Sequence, residues 1–203
     1  MKAAKHRVGV DVDGVLANYT ECYLNAIRAA TNRNIPKDWA PAQWDLDEAL
    51  GLTKSEKKAV YALMEMPGVA QRINPYPDAV AGIKKLVEIA DVFLVTSPVK
   101  ESPTWCFDRT KWVKKHFGEE LADSIDFTGH KYTFAADLFV DDKPTNCEEW
   151  QEAWPEGKAL LWTANYSVAI LHDRLTHVQD WEQVARWVAM APPTRYKPVI
   201  RED

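Results

Sequence analysis

The chain has 203 residues, 46% of them hydrophobic and 27% charged, so it is too long for a disulfide miniprotein and too apolar for a disordered tail. That length lies between one ordinary domain and two, which suits a single core domain carrying one modest insertion. Twenty-five Lys and Arg against 30 Asp and Glu leave a net charge of −5, which argues against tracking a long polynucleotide through a basic face but leaves a small anionic substrate open.

Residues 7–12 (RVGVDV) are short, rich in valine and polar only at the end, as a central parallel strand buried on both faces should be. Helical spacing follows over 19–30, then a loop-like stretch over 34–46 carrying Pro36, Trp39, Pro41 and Trp44, then a second helix over 55–64. The segment 78–90 places Val80, Ile83, Leu86, Val87 and Ala90 on one helical face, with Pro77 where a first turn tolerates it. A second buried strand is expected over 92–96 (VFLVT), a helix over 110–117, a third strand over 138–140 (LFV), a fourth over 159–162 (ALLW) and a last helix over 181–190.

Strands alternating with helices predict an α/β fold, Rossmann-like with a mainly parallel sheet. About sixty residues after the first strand break that rhythm without a convincing strand. We therefore expect a core formed by 1–17 and 78–190, a small helical cap over 18–77 and an extended tail over 191–203, where Pro192, Pro193 and Pro198 cluster.

No cationic start leads into a long apolar run and no stretch is apolar for the roughly 18 residues that a membrane span needs, so neither secretion nor a membrane is expected. Cys22, Cys106 and Cys147 are far apart and lack a CxxC spacing, which reads as reduced thiols in the cytoplasm. His172 and His177 lie five apart and do not share a helical face, so they suggest no metal. Nine Trp against six Phe is a tilt toward large flat rings, which fill cores by default and stack on bases otherwise.

Two carboxylates, Asp11 and Asp13, stand at the end of the first strand, two apart, followed by Gly14. If the strand continues, both point the same way about 7 Å apart, a costly arrangement unless a cation or a shared proton relieves it. The third strand repeats the design with Asp141 and Asp142. In open α/β sheets ligands collect beyond the carboxyl ends of the strands, so four acids can converge on one hard cation such as magnesium. Thr96 and Ser97 end the second strand, and Lys131 or Arg109 could add fixed positive charge; these are phosphate ligands by type.

The order DVDGVLA, VTSP, a lysine, FVDD resembles the four motifs of the haloacid dehalogenase superfamily of phosphohydrolases. The runs DVDGVLANYTE, VFLVTSPVK, KWVKKHFG and ADLFVDDKP are similar to those of its 5′(3′)-deoxyribonucleotidases, over most of the chain from Val8 to about Thr163.

The resemblance implies a haloacid dehalogenase-like core and a magnesium-dependent phosphatase acting on nucleoside monophosphates, deoxyribonucleotides above all. Asp11 would be the nucleophile that becomes an aspartyl phosphate, and Asp13 the acid and base. Magnesium would be held by Asp11, the backbone carbonyl of Asp13 and Asp142, favoured over Asp141, which would orient the shell. Thr96 and Ser97 would grip the phosphoryl oxygens, and Lys131 would neutralise phosphate and nucleophile. Arg109 falls where relatives carry a lysine. Tyr19 matches a family aromatic against the nucleobase, and Trp44 and Trp39 are either further stacking residues or core residues. Gly129 and His130 depart from the Arg and Asp that eukaryotic relatives tend to have.

The partner implied is a small nucleotide, with no polynucleotide and no membrane, and a homodimer is left open. The rivals are a phosphatase for another small ester or a polynucleotide 3′-phosphate, and an inactive module that only holds a nucleotide.

Overall fold

A computed structural model describes residues 5–41, 43–165 and 173–191. Six strands form one sheet: β1 (His6–Val10), β2 (Ala90–Thr96), β3 (Ile125–Phe127), β4 (Leu138–Asp141), β5 (Lys158–Trp162) and β6 (Thr176–Val178). Their order is β3-β2-β1-β4-β5-β6, and every pairing is parallel. The helices are α1 (Tyr19–Thr31), α2 (Leu46–Ala49), α3 (Lys54–Met64), α4 (Val69–Arg72), α5 (Ala79–Ile89), α6 (Trp105–Phe117), α7 (Glu119–Ala122), α8 (Pro144–Ala153) and α9 (Trp181–Met190).

Side chains that alternate along a strand point to opposite faces, and here they divide between two apolar clusters. Leu94, Leu138, Val140 and Leu160 join α5, α6 and α9 on one side of the sheet. Val95, Phe139 and Leu161 join Cys147 and Trp150 of α8 on the other. Burial on both faces explains why β1, β2, β4 and β5 read as continuous apolar runs. Gly9 lets β1 pass beneath two rings, because a Cβ there would lie 3.0 Å from Phe134 and 3.1 Å from Phe139.

The predicted strands and helices are present with shifted ends. Two strands beyond those expected, β3 (IDF) and β6 (THV), are three residues long and lie at the edges of the sheet, so neither carries a buried run. Helix α6 begins at Trp105, ahead of the helix expected from residue 110, and buries Trp105, Asp108, Arg109 and Trp112 along one side. Helix α8 carries little periodic signal, since only Cys147 and Trp150 of its ten residues are buried.

β1 lies at the middle of the sheet between β2 and β4, where the strand order turns back. Val10 pairs with Leu94 on one side and Val140 on the other, so the carboxyl ends of these three strands lie within two residues of one another. The chain from Tyr19 to Arg72 contains α1 to α4 and, among the described residues, no strand. It leaves and returns side by side: the Asn18 amide donates to Asn74 O and the Tyr76 amide to Leu16 O, both at 2.8 Å. Helix α3 starts on a capping box of Thr53 and Glu56, whose carboxylate also takes Arg33. The tail after Ala191 and His172 lie outside the described residues.

Candidate active site

Asp11 follows β1 directly and is buried. Its Oδ1 accepts the Val12 amide at 2.7 Å and Lys131 Nζ at 2.7 Å. The same ammonium donates to Asp141 Oδ2 at 2.8 Å, so one buried cation bridges the acids that end β1 and β4.

The expectation that four carboxylates meet is corrected here. Ligand oxygens of Asp11, Asp141 and Asp142 lie within 4.8 Å of one another, and the Asp13 carboxylate is not part of that group. The strand stops at Val10, the chain turns through Gly14 at φ +87°, and Asp13 forms an isolated bridge with Ala17. Period-two geometry therefore ends before Asp13, whose Oδ1 accepts Arg109 Nη2 at 2.5 Å instead.

Burial pushes the Asp11 carboxyl well above the usual carboxylate range, with Lys131 opposing and Asp141 and Asp142 reinforcing the shift. Burial also raises Asp13, against the pull of Arg109 and Lys131. Burial alone would lower Lys131, but Asp11 and Asp141 outweigh it and keep the ammonium charged. Three buried carboxylates against one lysine leave the cluster anionic, and the donors on offer are oxygens. That set fits a hard divalent cation such as magnesium.

The two acids after β4 differ in their place at the cavity. Asp141 is saturated by Lys131, the Lys143 amide at 2.8 Å and Asn146 Nδ2 at 3.0 and 3.2 Å, and it does not line the cavity. Asp142 does line it.

That cavity, of about 380 Å³, opens over the carboxyl ends of the strands and extends between α1, α2 and α3. Asp11, Asp13, Thr96, Ser97, Lys131 and Asp142 form its floor, and Tyr19 and Trp44 stand among its walls. Thr96 is fully buried and its Oγ1 has no hydrogen-bond partner among the described residues. An orphaned hydroxyl on a cavity floor suits an incoming oxyanion. The Ser97 hydroxyl donates to Thr128 O at 3.0 Å, which ties the loops after β2 and β3 together.

One other expectation is corrected, and one alternative is decided. Arg109 is fully buried behind Asp13 and does not line the cavity, because α6 begins earlier than expected and turns that side chain inward. Trp39 packs against the core beside a different hollow, with Arg28, Lys37 and Tyr76, and so is separated from Trp44.

Residues not anticipated also line the cavity. The Tyr23 and Tyr61 hydroxyls each donate to Asp47 at 2.6 Å, on Oδ1 and Oδ2 respectively, with Lys57 Nζ at 3.4 Å from Oδ2. Tyr19 stacks on Tyr23 with centroids 5.8 Å apart. Tyr19 and Tyr23 are four apart on a helix, a spacing visible in the sequence, but Asp47 and Tyr61 come from other elements and carried no signal. Among the described residues no helix is long and apolar enough to cross a membrane.

A family profile described as 5′ nucleotidase, deoxy (pyrimidine), cytosolic type C protein matches residues 5–192. The mitochondrial 5′(3′)-deoxyribonucleotidase of Mus musculus is 28% identical over 188 residues, covering 88% of this chain and 84% of that one. The human mitochondrial 5′(3′)-deoxyribonucleotidase is 30% identical over 162 residues, covering 78% of this chain and 70% of its own. Among solved structures, a haloacid dehalogenase-like hydrolase from Streptococcus pneumoniae superposes with a TM-score of 0.61 at 11% identity, over 90% of this chain and 98% of that one. A hydrolase of the same fold from Bacillus subtilis, solved bound to magnesium, gives 0.57 at 12% identity, over 93% and 100% of the two chains. At such identities these structures speak for the fold alone.

Proposed function

The chain belongs to the family of cytosolic type C deoxy (pyrimidine) 5′ nucleotidases, and on that premise we propose how its site works. It is a phosphatase of nucleoside monophosphates, with deoxyribonucleotides as the favoured substrates. The observation that carries this reading is that the Lys131 ammonium, set between Asp11 and Asp141, and the orphaned Thr96 hydroxyl line one cavity.

Asp11 is the nucleophile. Its Oδ1 is held by Val12 N–H and Lys131, which leaves Oδ2 without a hydrogen bond from the described residues. Oδ2 forms a bond to phosphorus as the bond from phosphorus to the ribose oxygen breaks, and Asp13 gives that oxygen its proton. The Asp13 carboxylate then takes a proton from water, whose oxygen attacks phosphorus, and inorganic phosphate leaves with the Asp11 carboxylate restored. Lys131 and Thr96, with Ser97, hold and neutralise the phosphoryl oxygens, since this chemistry depends mostly on positioning and charge.

The acidic cluster fits magnesium, which Asp11, Asp142 and the carbonyl of Asp13 would hold and which would supply charge neutralisation. Asp141, saturated by donors, is the residue that orients Lys131 and Asn146 rather than a direct ligand.

Residues 18–77 act as the cap. Tyr19 and Trp44 face the base and sugar, and the helices keep bulk water from the phosphoenzyme. The cytoplasm suits three cysteines that are all free thiols.

The test is a phosphate-release panel over ribo- and deoxyribonucleoside monophosphates, other small phosphate esters and 3′-phosphorylated oligonucleotides, with and without magnesium. Release from deoxyribonucleotides that stops on chelation is the expected result. Faster release from another ester class, or nucleotide binding with no release, would overturn it.

A further inference from the structure

We infer that Arg109 is a positioning residue: it pins one oxygen of Asp13, keeps that carboxylate out of the acidic cluster and presents the other oxygen to the leaving group. The inference rests on the phosphatase reading above, in which Asp13 handles the proton, and assigns Arg109 a task different from gripping phosphate.

The geometry is specific. Arg109 Nη2 donates to Asp13 Oδ1, and the two side chains are 0% and 19% exposed. Nε and Nη1 of the guanidinium are buried without a hydrogen-bond partner among the described residues. The fork is held by rings instead, with Cζ 5.4 Å from the Trp105 centroid and 5.0 Å from that of Trp112. A buried guanidinium answered by one carboxylate is a poor device for stability, because desolvation offsets most of the attraction. As a device for orientation it is strong, since neither the planar group nor the helix beneath it can turn.

Helix α6 is itself anchored on both sides of Arg109. Asp108 accepts the Gly68 amide at 2.7 Å, and Trp112 Nε1 donates to Ile73 O at 2.6 Å. Gly68 and Ile73 flank α4, the segment through which the chain returns from the cap. The same helix therefore fixes the return of the cap and the carboxylate of Asp13.

In the first chemical step the Asp11–phosphorus bond forms, the bond from phosphorus to the ribose oxygen breaks, and the electron pair left on that oxygen takes the proton from Asp13 Oδ2. A mis-aimed Asp13 would slow this step only where the leaving oxygen needs a proton. An aryl phosphate whose phenolate is a stable anion needs none.

The experiment compares Arg109→Gln and Arg109→Lys with the wild type. Single-turnover release of nucleoside from a deoxyribonucleoside monophosphate is measured beside the burst of dinitrophenolate from dinitrophenyl phosphate, which reads phosphorylation of Asp11 alone. Arg109→Gln should slow nucleoside release about 100-fold while its KM and the dinitrophenolate burst each stay within about 3-fold. Arg109→Lys, which keeps the charge without the fork, should recover about 10-fold of that loss. Equal losses with both leaving groups would show a structural role, and a KM that rises for both with unchanged rates would show a phosphate contact; either result overturns the inference. Should the glutamine variant not fold, the lysine variant carries the same comparison. A wild type that gives no burst with dinitrophenyl phosphate and no nucleoside release would overturn the phosphatase reading first and this inference with it.

Discussion

A Cβ on Gly14 would stand 2.0 Å from Asp142 Oδ2, so the turn after β1 and the acid after β4 touch across the site with no room for a methyl group. Gly14 also adopts φ +87°, which side chains avoid. Its carbonyl accepts Asn165 Nδ2 at 2.7 Å, which ties the turn to the loop after β5. Gly14→Ala should therefore push Asp142 aside and cut turnover at least about 100-fold, with a loss of roughly 1–3 kcal/mol in stability. Phosphate release together with urea midpoints measures both effects, and normal turnover would refute the close approach.

The pair Asp11 and Lys131 works at the expense of stability. Asp11 is held well above its usual range by burial, so without metal its charged form opposes folding. A raised carboxyl contributes stability below its unfolded value and loses it as pH rises through the folded one. Asp11→Asn does not titrate. In chelator at neutral pH the variant should be the more stable by about 1 kcal/mol, a Tm higher by roughly 2–4 °C, and this gain should shrink as pH falls below the raised value and vanish below the unfolded one. Turnover should be abolished. Adding magnesium should narrow the gap by binding the wild type. Thermal melts across pH in chelator decide it, and a less stable variant at neutral pH would contradict the account.

Asp141 and Asp142 are adjacent but should fail differently. Asp141→Ala strips Lys131 and Asn146 of a buried partner and should cost about 3–5 kcal/mol. Asp142→Asn should keep the fold within about 1 kcal/mol. It should weaken magnesium binding by more than the roughly 10–100-fold that follows loss of an outer-shell group. Calorimetric titration of each variant with magnesium distinguishes them; stronger metal loss in a folded Asp141 variant would reverse the roles.

Trp44 and Trp39 offer a paired control. Trp44 is 39% exposed on the cavity wall, with Lys143 Nζ 4.3 Å from its ring. Trp44→Ala should raise KM for nucleotides by the equivalent of about 1–3 kcal/mol if a base stacks there. Trp39→Ala, altered beside a different hollow, should leave KM unchanged. Steady-state kinetics on one deoxyribonucleotide suffices, and equal effects would remove Trp44 from the binding surface.

The inner strands were legible in the sequence because burial on both faces leaves an unbroken apolar run, as in VFLVT and LFV. The acids at their ends were legible for the complementary reason, that charge at the end of such a run needs a partner. Edge strands β3 and β6 were not, since a half-exposed strand of three residues carries no periodic signal. Nor could linear spacing say where Asp13 points. Period-two logic put it beside Asp11, whereas the turn at Gly14 and the inward face of α6 delivered it to Arg109. The same holds for Asp47, which meets Tyr23 and Tyr61 only because three separate elements pack together. The residue types and their order thus determined which chemistry the chain is equipped for. Tertiary packing decided which oxygen each donor occupies and which stays free, because a hydrogen bond depends on directions that spacing along a chain does not specify.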